Sequence, residues 1–164
     1  MDKHSTLTKE KRIQLIIIVG IGTFMGALDS SIVNISLPSI SNYFNISLTT
    51  VEWVVLSYLI VISSLLLAYG RLGDLYGHKK IYLIGFIIFT IGSLSCALSP
   101  TILILILSRA LQAVGAGMLM SMGPAIITIN TPSKDRGKYL GFNAIAVSVA
   151  LSTGPVIGGF LTSY

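Results

Sequence analysis

Five long apolar runs constrain the fold of this 164-residue sequence more than any other feature. The hydrocarbon core of a bilayer is about 30 Å thick, and an α-helix needs about 20 apolar residues to span it. A single soluble core does not require several runs of this length. The sequence therefore predicts an all-α membrane protein with five transmembrane helices, at about residues 13–37, 51–72, 81–98, 101–129 and 139–161.

The composition of the chain agrees with a surface that faces lipid. Hydrophobic residues make up 53% of it and charged residues only 10%, whereas a soluble domain has about 25% charged residues. The single cysteine, Cys96, has no partner for an internal disulfide. The sequence also lacks metal-ligand spacing, a nucleophile triad and a phosphate-binding loop after a strand. These observations predict neither an enzyme nor a bound cofactor or metal.

Basic residues are distributed unevenly between the two sides of the predicted bundle. Ten of the 11 Lys and Arg residues precede helix 1, connect helices 2 and 3, or connect helices 4 and 5. Because cytoplasmic loops carry the excess of Lys and Arg, the sequence predicts a multi-pass cell-membrane protein with residues 1–12 as a cytoplasmic N-terminal tail. This asymmetry accounts for the net charge of +5, so no nucleic-acid partner is predicted.

Two ionisable side chains, Asp29 and Arg109, lie well inside the predicted spans. Such a residue at the centre of a span costs about 2.5–3.5 kcal/mol on insertion scales. With a rise of about 1.5 Å per residue, Asp29 lies about 24 Å from the cytoplasmic start of helix 1, and Arg109 about 12 Å from the outer start of helix 4. Both depths fall in the outer half of the membrane, so pairing requires only that their helix faces meet.

Two interpretations of this pair remain open. The first is a structural ion pair that offsets the cost of burying each charge. The second is a proton-coupling site, because ionisable residues inside membranes commonly mark proton and substrate pathways. Burial favours the protonated form of a carboxyl group, and a neighbouring cation favours the ionised form. A carboxyl group subject to both effects can change its protonation state as its surroundings change, as proton-coupled transport requires.

The segment between predicted helices 2 and 3 closely resembles the signature loop of the major facilitator superfamily. The residues that carry this resemblance are Gly70, Asp74, Gly77, Lys79 and Lys80. Its position, a cytoplasmic connector after the second span, is also that of the family. The sequence departs from the family pattern at Leu75 and His78, where basic residues are usual. A carboxylate at the membrane edge can accept from a helix N-terminus or a cation, and so hold one conformation.

Three further stretches resemble motifs of the drug:proton antiporters with fourteen spans, and they occur in the expected order. Residues 28–38 look like the helix-1 motif. Residues 105–112, which include Arg109, are similar to the helix-4 motif, with Ala113 where a glycine is usual. Residues 154–159 resemble the helix-5 antiporter motif. Together the four stretches cover nearly the whole chain.

The resemblance implies an alternating-access carrier, in which two helix bundles move about a central site for a small-molecule substrate and protons. It implies that Asp29 and Arg109 serve proton coupling, and that the signature segment forms a cytoplasmic gate with the other half of the transporter. It also implies a bend in helix 5 at the bundle interface. The residues implied for that bend are Gly154, Pro155, Gly158 and Gly159.

On this interpretation the chain comprises helices 1–5 of an incomplete N-terminal bundle in the lipid bilayer, and its missing partner is the C-terminal half. We expect that the 164 residues alone cannot complete a transport cycle. The leading function is a proton-coupled antiporter that exports hydrophobic or cationic drugs. The alternatives are a carrier of an ordinary metabolite on the same fold, since fold does not fix function, and a truncated membrane subunit that does not transport.

Overall fold

The computed structural model describes residues 8–162, and five long α-helices form most of that range. They are α1 (Lys9–Phe44), α2 (Leu48–Tyr76), α3 (His78–Ala97), α4 (Ile102–Ile129) and α5 (Arg136–Thr162), with a short 3₁₀-helix at Ser133–Asp135. All five are long and apolar enough to cross a membrane, and residues 8–162 contain no strand. The predicted all-α membrane fold is confirmed. Residues 1–7 of the predicted tail lie outside the described residues.

The first helix is longer than predicted, because it continues past Pro38 to Phe44. Proline inside a helix lacks an N–H group and often ends the helix, which is why the sequence predicted an end just before it. The helix instead ends at Asn45, whose φ of 53° is left-handed. The Asn45 N–H donates to carbonyls of the last turn, and the Ser41 hydroxyl donates to the Ile46 carbonyl at 2.6 Å. The Asn45 bonds give partners to carbonyls at the end of the helix, and the Ser41 bond holds the connector against that end.

The predicted loop between the second and third helices is largely helical, so that prediction is wrong. α2 extends to Tyr76, and α3 begins at His78. Gly77 alone joins them, with a φ of 91° that glycine adopts without steric cost. A glycine inside a helix costs only about 1 kcal/mol, so those before Tyr76 do not end α2. Gly70 and Asp74 therefore lie in α2, and Lys79 and Lys80 lie in the first turn of α3.

The fourth helix lies at the centre of the bundle. It packs against α3, α2 and α1, whereas α5 packs mainly against α1. Most of its buried side chains are small or apolar, but Ser108, Arg109 and Gln112 are buried as well. Large apolar side chains such as Leu67 and Leu94 remain exposed on the outer helices. An exposed apolar surface of this extent is suited to contact with lipid.

Glycines bring α3 and α4 close together. A β-carbon at Gly92 would lie 2.5 Å from the Cα of Gln112, and one at Gly85 would lie 2.6 Å from the Cβ of Met118. Small residues at helix interfaces let the backbones approach closely in membranes. This approach places Ser93 of α3 beside Gln112 of α4, and the side chains of these two residues form a hydrogen bond.

Candidate functional site

Asp29 and Arg109 form an ion pair inside the bundle. The Asp29 Oδ2 atom accepts from the Arg109 guanidinium at 2.6 Å, and this contact joins α1 to α4. The two side chains are buried unequally, with 3% of the Arg109 side chain and 24% of the Asp29 side chain exposed. The sequence left this pairing open, because it does not reveal which helix surfaces face each other, and the structure shows the two side chains in contact.

Gln112 connects the ion pair to the third helix. Its amide nitrogen donates to Asp29 Oδ1 at 2.9 Å and to the Ser93 hydroxyl at 2.6 Å. Its amide oxygen accepts from Arg109 at 2.5 Å and contacts the Cys96 thiol at 3.9 Å. A glutamine side chain has two donor hydrogens and two acceptor lone pairs. All four positions of this buried amide are therefore occupied.

Tyr58 of α2 covers the guanidinium group of Arg109. The Cζ atom of Arg109 lies 4.2 Å from the centre of the Tyr58 ring, within the range of about 6 Å for a cation–π interaction. Tyr58 is itself buried. The Arg109 Nε atom is also buried, and it has no hydrogen-bond partner. The guanidinium thus depends on one carboxylate, one amide and one aromatic ring.

The site is assembled from four of the helices, and the sequence identified only part of it. Asp29 and Arg109 were predicted because each is a charged residue in an apolar run. Gln112 lies in the stretch that resembles a family motif, but it was not predicted as a site residue. Tyr58 and Ser93 were missed, since serine and tyrosine are ordinary in transmembrane helices and neither lies in a recognised pattern.

Protonation of Asp29 would change the ion pair. Asp29 is the more exposed partner within the described residues. A proton on Asp29 would neutralise the charge that pairs with Arg109. The attraction between two unit charges in a low-dielectric site is far stronger than in water. Protonation of Asp29 would therefore weaken the link between α1 and α4.

The predicted gate residues lie together at the basic end of the bundle, which we define by residues 9–12, 71–80 and 130–138. The side chain of Asp74 is 78% exposed, and its carboxylate lies 3.5 Å from the His78 imidazole. Lys79 and Lys80 are exposed as well. A β-carbon at Gly70 or Gly77 would meet nothing within 4 Å.

The helix-5 motif lies against α1. A β-carbon at Gly154 would collide with the Ser31 side chain, and one at Gly158 would lie 3.4 Å from the Ile32 Cα. Pro155 has no N–H to donate to the Leu151 carbonyl one turn earlier. The Ser31 hydroxyl donates to that carbonyl instead, at 3.3 Å.

The implied bend in helix 5 does not interrupt the helix. α5 remains continuous through Pro155, from Arg136 to Thr162. Pro155 is exposed, and a β-carbon at Gly159 would meet nothing within 4 Å. Of the four implied residues, Gly154 and Gly158 thus form the close contact with α1.

Comparison with known protein families settles the identity of the fold. The family model described as Major Facilitator Superfamily matches residues 19–164. The chain belongs to the major facilitator superfamily. The resemblance read from the signature segment and the three helix motifs is therefore confirmed at the level of the superfamily.

Several curated relatives of this superfamily chain are transporters or resistance proteins by name. A riboflavin transporter of Clostridioides difficile is 43% identical over 156 residues, which are 95% of this chain and 34% of that protein. A methylenomycin A resistance protein of Bacillus subtilis is 35% identical over 155 residues, 94% of this chain and 33% of that protein. These names agree with the prediction that the chain is not an enzyme.

A multidrug resistance protein of Mycobacterium tuberculosis strain H37Rv is also similar to this superfamily chain. It is 35% identical over 153 residues, which are 92% of this chain and 28% of that protein. The chain thus spans about a third of the length of the curated relatives it matches.

Proposed function

We propose that the full-length protein is a proton-coupled antiporter of the cell membrane that exports hydrophobic or cationic compounds. The observation that carries this proposal is the partly buried network of Asp29, Arg109 and Gln112. A charged residue inside a membrane has a large free-energy cost. Such residues are commonly functional, and proton pathways are among the functions that require them. The names of two relatives, a multidrug resistance protein and a methylenomycin A resistance protein, support the substrate class.

In this proposal Asp29 carries the coupling proton and Arg109 responds to it. With Asp29 ionised, the ion pair holds α1 against α4. With Asp29 protonated, Arg109 keeps only the Gln112 amide and the Tyr58 ring as partners. A proton can shift a conformational equilibrium only by its difference in affinity for the two states. In this proposal the ion pair forms in one conformation and breaks in the other, and Asp29 binds a proton less readily where it is paired with Arg109.

The proposed orientation places the N-terminus and the basic end in the cytoplasm, because Lys and Arg residues accumulate there. Gly70, Asp74, Gly77, Lys79 and Lys80 would then form a cytoplasmic gate. Exposure of the Asp74 carboxylate, at 78%, leaves it available to a partner, which we propose is the C-terminal half of the transporter. Gly154 and Gly158 would keep α5 close to α1 while the bundles move.

A second candidate function is the transport of an ordinary metabolite. The observation that favours it is the relative named a riboflavin transporter, whose 43% identity exceeds the 35% of the two resistance proteins. The network would serve either cargo, because its proposed role is to carry the coupling proton and not to bind the substrate. The two candidates therefore differ in cargo and share the proposed role of Asp29.

Transport by everted membrane vesicles that contain the full-length protein tests both the coupling and the cargo. Vesicles are energised to a proton gradient, and the release of protons is followed on addition of a fluorescent lipophilic cation or of riboflavin. We expect the cation to release protons through the wild-type protein and not through an Asp29→Asn variant. Glu52→Gln is the matched control, because Glu52 is an exposed acid on α2 outside the network.

Each outcome of this experiment decides between the candidates. Proton release by riboflavin and not by the cation would replace drug export with metabolite transport. Equal proton release by the wild-type protein and the Asp29→Asn variant would refute the role of Asp29. Absence of transport with both cargoes, from vesicles that hold correctly inserted protein, would favour the non-transporting subunit.

A further inference from the structure

A groove between α1, α3 and α4 lies at the basic end of the bundle, and of the five proposed gate residues only Lys79 lines it. It encloses about 510 Å³, within the range of about 300–1,000 Å³ that is typical of ligand sites. Val19, Tyr82 and Ile126 are buried in its floor. Ile18 and Leu83 line it as well, and about half of each side chain surface is exposed. The floor of the groove is therefore apolar, and the groove is open.

The rim of this groove is positively charged. Lys11 of α1 and Lys79 of α3 both line it, together with His78, and no acidic residue does. Both lysines are exposed, and neither forms an ion pair within residues 8–162. The imidazole of His78 already faces the Asp74 carboxylate at 3.5 Å. Lys11 and Lys79 are thus the cations of the rim that can bind an anionic ligand, and Lys79 is shared with the proposed gate.

The charged and apolar parts of the groove lie at different depths. Lys11 is in the first turn of α1 and Lys79 is in the first turn of α3, so both lie at one end of the bundle. Val19 and Tyr82 follow further along the same helices. A phospholipid has the same order, with a charged headgroup at the membrane surface and apolar chains below it. Basic pockets between transmembrane helices on the cytoplasmic side bind anionic lipid headgroups.

We propose that this groove binds an anionic phospholipid, whose phosphate lies between Lys11 and Lys79 and whose acyl chain lies along the apolar floor. The choice of leaflet rests on the proposed orientation, in which the basic end faces the anionic cytoplasmic leaflet. The phosphate would join α1 to α3. Within the described residues these helices meet mainly through Tyr82, whose hydroxyl donates to the Val19 carbonyl at 3.2 Å.

A second groove supplies a matched control. It lies between α1 and α5, encloses about 440 Å³, and has a similar apolar lining that includes Ile17 and Phe142. Lys138 is its single basic residue. One cation of the same end of the bundle can therefore be removed there without changing the charge of the proposed lipid site.

Native mass spectrometry of the full-length protein, purified in detergent, tests the proposal. The protein is mixed with phosphatidylglycerol or with phosphatidylcholine, which share acyl chains and differ in headgroup charge. We expect the wild-type protein to prefer phosphatidylglycerol by roughly tenfold or more, given the attraction of a basic residue to anionic lipid. The Lys11→Gln/Lys79→Gln variant should lose this preference, and Lys138→Gln should retain it.

Several results would overturn the proposal. Unchanged preference in the double variant would mean that lipid binds elsewhere, or that another segment or copy of the protein covers the groove. An equal loss of preference in Lys138→Gln would mean that the net charge of the protein alone determines which lipid it binds. Displacement of the bound lipid by inorganic phosphate, added at the same concentration as the lipid, would show that the apolar floor contributes nothing to binding. If the double variant fails to fold, each single lysine variant should show a smaller loss of preference, and no loss in either would overturn the proposal.

The lipid measurement is independent of transport. Retention of phosphatidylglycerol is recorded in detergent, without a gradient and without a cargo. A negative result in the vesicle experiment would therefore leave it unchanged, and failure of lipid retention would leave the role of Asp29 intact.

Discussion

Gln112 shows how an uncharged side chain can stabilise a charged pair inside a membrane. A buried polar group without a partner costs about 1–3 kcal/mol, and the two ionised residues require several partners. The Gln112 amide supplies a donor to Asp29 and an acceptor to Arg109. Its second donor bonds Ser93. The position of this one residue therefore fixes the relative placement of three helices.

Replacement of Gln112 by methionine should destabilise the protein. Methionine has a similar length but offers no strong donor or acceptor, so Asp29 and Ser93 each lose a donor. We expect the free energy of unfolding to fall by about 1–3 kcal/mol, measured as a lower melting temperature of the full-length protein in detergent. Gln14→Met is the control, because Gln14 is exposed on α1. Equal melting of the two variants would contradict the structural role of the amide.

The charged members of the site could be predicted from the sequence, whereas their neighbours could not. A charged residue within an apolar run can be recognised from the sequence alone, as Asp29 and Arg109 show. Tyr58 contacts Arg109 across 51 positions of sequence, through the ring face. Such a contact depends on how each helix is rotated about its axis. The apolar runs do not reveal this rotation, because lipid accepts apolar side chains on every face of a helix.

The helix ends depend on single residues. The sequence placed a loop between α2 and α3 because glycines and charges cluster there. Gly77 is the residue that interrupts the helices, at a φ of 91°, while Gly70 lies within α2. Composition alone does not distinguish a glycine that turns the chain from one that a helix tolerates. Pro38 likewise does not end a helix, because α1 continues past it to Phe44.

The contact between α3 and α4 should be sensitive to one methyl group. A β-carbon at Gly92 would lie 2.5 Å from the Cα of Gln112, so Gly92→Ala must push the two backbones apart. Overpacking of this kind costs about 1–3 kcal/mol, and it would also separate Ser93 from Gln112. We expect Gly92→Ala to lower the melting temperature of the full-length protein and to weaken its proton release in everted vesicles.

Gly26→Ala is the matched control for this contact. Gly26 also lies within a transmembrane helix, but a β-carbon there would meet nothing within 4 Å. Alanine favours helix formation over glycine by about 1 kcal/mol, so Gly26→Ala should melt at the same temperature or a higher one. A comparable loss in both variants would show that α3 and α4 do not depend on their glycines.

At the scale of the molecule, the two ends of the bundle differ in charge. The basic end carries nearly all the Lys and Arg residues, and the opposite end, at residues 45–50 and 98–101, carries none. The same asymmetry supports the orientation, the proposed gate and the proposed lipid site. The sequence predicted it fully, because it depends on the order of spans and connectors rather than on contacts between them.

Cysteine labelling in cells that express the full-length protein tests this orientation. Thr49 lies in the first turn of α2 and Lys134 precedes α5, at opposite ends of the bundle, and both are exposed. We expect a membrane-impermeant maleimide to label Thr49→Cys in intact cells, and to label Lys134→Cys only after the cells are permeabilised. The unmodified protein controls for Cys96, which lies within α3. The reverse pattern would place the basic end outside, where the proposed gate and lipid site would no longer face the cytoplasm.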